Sequence, residues 1–122
     1  MAPEQARGDE VDARADIYGL AAMVYRALTA HPPFPRGEMH SVLHNVIYLM
    51  PVQPSHLAEV KASIEQVLLI AMAKNPDDRF QTVEELSEAY AQAAEDRLPD
   101  ALIARAARLA TEHPWTQSPD AV

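Results

Sequence analysis

The chain has 122 residues, no cysteine and a formal net charge of -8. That surplus repels phosphate backbones and anionic lipid, which argues against nucleic-acid and membrane partners; the missing thiols remove disulfides, thiolate catalysis and cysteine-bound zinc together. The length predicts one small domain, and 48% hydrophobic residues with 3 glycines and 6% aromatics predict an all-α one.

Residues 12–29, DARADIYGLAAMVYRALT, repeat Ile17, Leu20, Ala21, Val24 and Leu28 at helical spacing. Tyr18, Ala22, Met23, Tyr25 and Ala27 fill the other faces, so this helix is expected to be buried all round. His31-Pro32-Pro33-Phe34-Pro35 stops it, because proline lacks an amide donor and biases the residue before it away from helix. A shorter helix is predicted over 38–49 with Val42, Leu43, Val46 and Ile47 inward, and Pro51 and Pro54 then impose an extended connector. The third helix is predicted over 57–73, burying Val60, Ile64, Val67, Leu68 and Ala71 and exposing Glu59, Lys61 and Glu65.

Asn75-Pro76-Asp77-Asp78 predicts a turn. Thr82 and Glu85 form a capping-box pattern, the hydroxyl accepting from the Glu85 amide and the carboxylate from the Thr82 amide. The fourth helix, which it opens, is expected to bury Val83, Leu86, Tyr90 and Ala93 before Asp96 to Pro99 interrupts it. A last helix over 100–112 carries Leu102, Ile103, Ala106, Leu109 and Ala110 beside Arg105 and Arg108, and His113-Pro114 ends it before a polar tail. The longest apolar stretch, Ile17 to Tyr25, falls far short of the roughly 20 residues of a membrane span. Glu4, Asp9 and Glu10 do not suit a secretory signal, so a cytoplasmic location is expected.

Four motifs in chain order resemble the C-terminal lobe of bacterial eukaryotic-like (Hanks-type) Ser/Thr protein kinases. Ala2-Pro3-Glu4, flanked by Met1 and Gln5, resembles the A-P-E motif that closes the activation segment. Asp16 in DARADIYGL matches the aspartate opening the lobe's long central helix, and LTAHPPF over 28–34 resembles the family's LTGxPPF exit from it. Arg79 in NPDDRF matches the arginine that pairs with the A-P-E glutamate.

The resemblance implies a helical C-terminal subdomain of the protein-kinase-like fold that lacks the N-lobe and catalytic loop. Residues 1–95 would form the partial lobe, and 96–122 an extension with a short helix and polar tail. Ala2, Pro3, Glu4, Asp16 and Arg79 are its structural positions. Glu4 and Arg79 stand 75 positions apart and suit a partly buried bidentate pair, so exchanging the two residues is expected to restore stability lost by either change alone.

The Gly-rich loop, strand lysine, H-R-D loop and D-F-G aspartate that phosphoryl transfer needs are not found in these residues. No catalytic, cofactor-binding or metal residue is therefore expected here, and ATP and magnesium belong to the full-length family. The chain reads as a truncated Ser/Thr kinase lobe, inactive by itself, or alternatively as a stand-alone non-catalytic interaction module. In the family Asp16 accepts hydrogen bonds from the catalytic-loop backbone. Without that loop, part of the central helix should stay uncovered and attract a protein partner or a second copy.

His40 and His44 have a zinc-like spacing, but no Glu follows the first histidine, so they are expected on an exposed partner-docking face. Arg105 and Arg108 form a second candidate docking surface. Trp115 either anchors such a contact or folds back on the fourth helix. His31, His56 and His113 are expected to be solvated, and no serine stands in a nucleophile-elbow context.

Overall fold

The computed structural model describes residues 1–118. Its helices are α1 (Pro3–Arg7), α2 (Ala13–Thr29), α3 (Met39–Tyr48), α4 (Ala62–Ala71), α5 (Val83–Ala94) and α6 (Asp100–Glu112), with single 3-10 turns at Pro54–His56 and Pro76–Asp78. The described residues contain no strand, only an isolated parallel bridge between Val52 and Thr116. Residues 119–122, the end of the expected polar tail, lie outside the described residues.

The helix buried nearly all round is α4. Its Ile64, Glu65, Val67, Leu68, Leu69, Ile70 and Ala71 are all buried, because α2, α5 and α6 each pack against it. By contrast α2 buries Ala15, Ile17, Tyr18, Ala21, Tyr25 and Thr29 on one side and leaves Leu20 38% and Met23 70% exposed. Glu65, expected outside, is buried because its carboxylate accepts from the Ser55 amide (2.6 Å) and the Gln53 side chain (3.2 Å), fixing the connector before α4.

Other boundaries shift for local reasons. α4 begins at Ala62, since the 3-10 turn at Pro54–His56 and the bend after it use up residues 57–61. α3 buries only Val46 and leaves Val42, Leu43 and Ile47 half-buried at the rim. Val83 and Ile103 are exposed, while Ala89 joins Leu86 and Ala93 in the core. The Thr82 hydroxyl does accept from the Glu85 amide (3.1 Å), but the Glu85 carboxylate reaches one residue further back, to the Gln81 amide (2.9 Å). The short α1 has no apolar period to announce it; Pro3 opens it, the Gln5 side chain accepts from the Ala2 amide (2.7 Å), and Gly8 closes it with φ 78°.

α2 ends at Thr29 with Ala30 in the left-handed conformation, φ 62°. The resembling motif has glycine there, and an alanine Cβ makes that conformation costly by roughly 1–2 kcal/mol. Part of that is offset by glycine's extra unfolded-state entropy. Ala30→Gly is therefore expected to raise stability by about 0.5–1 kcal/mol, read as a higher midpoint in urea; an unchanged or lower midpoint would contradict the strain.

α6 and the tail complete the core. Ala106 and Leu109 face α4, and Trp115, 8% exposed, lies 6.5 Å from the Tyr25 ring. Trp115 thus folds back on α2 rather than on α5. Thr116 then pairs with the connector, its amide donating to the Pro51 carbonyl (2.9 Å) and its carbonyl accepting from the Gln53 amide (2.8 Å). His56, expected in solvent, holds the tail through its Nδ1 and the Gln117 carbonyl (2.8 Å).

Candidate functional site

A buried polar clamp joins α1 to the residue after the Pro76–Asp78 turn. Arg79 Nη1 donates to Glu4 Oε2 (2.7 Å) and Nη2 to Glu4 Oε1 (2.8 Å), with both side chains shielded from solvent. Three more donations go to the carbonyls of Ala73 (2.8 Å), Arg14 (3.0 Å) and Lys74 (3.4 Å). All five guanidinium N–H groups are thereby used, and the guanidinium also lies 5.1 Å from the Tyr18 ring centroid. This reverses what is expected of the exchanged pair: a carboxylate at 79 would face three carbonyl oxygens, so the double exchange should leave stability low.

Tyr18 sits beneath the clamp, and its buried hydroxyl has no hydrogen-bond partner. Burial pushes its pKa up, against the opposing charge of Arg79. Lys74 is also buried. Its ammonium donates to the Val46 carbonyl (2.6 Å) and lies 5.2 Å from the Phe34 ring and 5.8 Å from the Tyr18 ring, with no carboxylate paired to it. It ties the PPF turn, α2 and α3 together. No pattern in the sequence set this lysine apart, because nothing local to Lys74 signals a buried ammonium.

These groups set a pH profile. Burial pushes the Glu4 carboxyl up, but the Arg79 hydrogen bonds and charge outweigh it and hold the group below its ordinary 4.5. Stability from the clamp is therefore present above the unfolded value and lost as pH falls through the lower folded one. Burial, then the Arg79 and Arg7 charges, bring Lys74 from 10.5 down to about 7. Between those values the unfolded chain binds the proton more tightly, so stability rises with pH. Burial also pushes Tyr25 up to about 12, so above its ordinary 10.0 the unfolded chain loses that proton first and stability turns down. Thermal scans should show a maximum between roughly pH 9 and 10, with Lys74→Met flattening the rise from neutral pH. A flat limb between pH 7 and 9 in the unaltered protein would contradict this.

Asp16 stands exposed in the first turn of α2, and its side chain makes no hydrogen bond or ion pair among the described residues. One and two turns on, Leu20 and Met23 continue the same face, followed by exposed Ala27. His40 and His44 are exposed on α3, where His44 packs against Tyr48 at 4.9 Å between centroids. Among the described residues no group of three His, Cys, Asp or Glu side chains is placed to hold a metal. Arg108 is not a free docking charge, for it binds Asp78 (3.0 Å) and Glu112 (3.1 Å). Arg105 is half-buried and lines a cavity between α5 and α6 with Glu85 and Glu88.

A short helix clamped by its glutamate to a late arginine, ahead of a long central helix and a proline turn, is the arrangement that the resemblance to a protein-kinase C-lobe implies. In sequence the chain is similar to bacterial Hanks-type Ser/Thr protein kinases and corresponds to part of their helical C-lobe. It is 41% identical over 102 residues to the serine/threonine-protein kinase PknB of Mycolicibacterium smegmatis, covering 83% of this chain and 16% of that relative. Against the tyrosine-protein kinase MasK of Myxococcus xanthus it is 43% identical over 103 residues, 84% of this chain and 15% of the relative. The probable serine/threonine-protein kinase CE0033 of Corynebacterium efficiens is 34% identical over 119 residues, 93% of this chain and 17% of the relative. The chain thus spans about one sixth of the length of these relatives. No family profile matches it.

Proposed function

We propose that these residues build the helical platform of a protein-Ser/Thr kinase in bacterial signalling and carry no phosphoryl-transfer chemistry of their own. The observation that supports this most is the open face of α2, where Asp16, Leu20, Met23 and Ala27 stand in one row in solvent. A carboxylate without partners beside exposed apolar side chains fits a surface shaped for a neighbour such as the catalytic loop. No glycine-rich phosphate loop or D-F-G aspartate is present in these residues, so no step through ATP or magnesium is assigned to them. Calorimetry with magnesium and ATP, and a phosphate-transfer assay with this polypeptide, should both read zero. Saturable nucleotide binding or transfer to protein would overturn the reading.

The same open face supports a second reading, a non-catalytic module that binds a protein or a second copy of itself. Isologous pairing would bury the Leu20–Met23 stripe twice. Sedimentation of the unaltered chain should then show dimers that Met23→Asp converts to monomers; a monomer at high concentration would favour the platform reading alone. A cytoplasmic setting is part of both readings. Among the described residues no helix is long and apolar enough to cross a membrane.

A further inference from the structure

The charge of this chain is unevenly spent. Arg79 takes Glu4, Arg14 takes Asp12 and Asp77, and Arg108 takes Asp78 and Glu112. Around a cavity of about 370 Å³ the pattern reverses. Its wall is formed by Arg7 at the end of α1, Lys74 and Asn75 before the 3-10 turn, Ile47 and Tyr48 at the end of α3, and His113 at the end of α6. No carboxylate lines it, although acidic residues outnumber basic ones 18 to 10 in the chain. Arg7 and His113 have no side-chain hydrogen bond or ion pair among the described residues.

Lys74 adds the observation that points to a ligand. Its residue is 6% exposed, and of three ammonium donors one is used, on the Val46 carbonyl. Glu4 is bound by Arg79, and Tyr18 and Phe34 offer Lys74 ring faces only. A buried ammonium without an anion is costly, and an oxyanion in the adjoining cavity would relieve that cost.

We propose that this cavity is an oxyanion site that takes a phosphate dianion, as free phosphate or as the monoester of a phosphorylated side chain. Arg7 supplies a planar fork for two oxygens, Lys74 a buried point charge, and His113 and Asn75 further donors at the rim. The volume lies at the lower end of the range of about 300–1,000 Å³ for small-molecule sites and suits one phosphorylated side chain. The proposal rests on this cavity and is independent of the platform reading.

The test is a nuclear-magnetic-resonance titration of the full chain at fixed ionic strength, with a phosphoserine peptide, its unphosphorylated counterpart and inorganic phosphate. Saturable shifts at the amides of Arg7, Ile47, Lys74 and Asn75 are expected for the phosphorylated probes and not for the plain peptide. Tighter binding of the peptide identifies a phosphorylated side chain as the occupant, and equal binding identifies free phosphate; both support the site. The exposed variants Arg7→Gln and His113→Gln, which leave the core intact, should each weaken binding about tenfold. At pH 8 a phosphoserine is already a dianion, its second pKa being about 6. Binding should then take up a proton onto Lys74, measured by calorimetry in buffers of different ionisation heat. No saturation, or binding unchanged in both variants, would overturn the proposal and leave these cations as complements to helix C-terminal ends.

Discussion

Arg79→Met is expected to destabilise the chain by about 3–5 kcal/mol, because it leaves the Glu4 carboxylate buried and unpaired. The loss should exceed that of Glu4→Gln, since the arginine also serves the carbonyls of Ala73, Arg14 and Lys74, while a glutamine side chain in place of the glutamate can still accept a hydrogen bond. Against a domain stability of about 5–15 kcal/mol, either change is large. Urea unfolding of both variants and of their combination gives the coupling energy directly. Additive losses would show that the two side chains do not act as a pair. The acid limb of the pH profile should shrink in Glu4→Gln for the same reason, as the group that titrates below 4.5 is gone.

The second large effect is expected at the other end of the chain. Trp115→Ala removes a core aromatic that packs between Tyr25 and the α4–α6 layer, and such truncations cost about 3–5 kcal/mol. It should also loosen the strap that follows it, where Thr116 holds Pro51 and Gln53 by main-chain bonds and its hydroxyl donates to the Met50 carbonyl (2.7 Å). Amide exchange at Gln53 should rise in the variant beyond what the global loss explains. Unchanged protection there would mean that the connector is fixed by Glu65 and Tyr25 alone.

What the sequence makes legible is local chemistry. The turn at Asn75-Pro76-Asp77-Asp78 forms, the Thr82 hydroxyl caps α5, and α6 runs over the residues that its periodicity and His113-Pro114 mark. The clamp is legible only through the resemblance, since no spacing rule links positions 4 and 79. What periodicity misreads is which apolar helix lies in the middle. α2 and α4 are both apolar nearly all round, yet burial depends on neighbours, and α4 has helices on three sides where α2 has them on one. Lys74 and the tail-holding Thr116, both bound to carbonyls, are invisible for the same reason: their partners are backbone atoms brought up by the fold.

The absence of cysteine allows a direct measurement of the open face of α2. At low micromolar concentration, a thiol introduced by Met23→Cys should be labelled at close to the rate of an unfolded peptide, and one introduced by Ala21→Cys should be protected by the fold. Equal protection at both positions would show the stripe covered by the chain's own residues and contradict the account of α2 as a helix awaiting a neighbour.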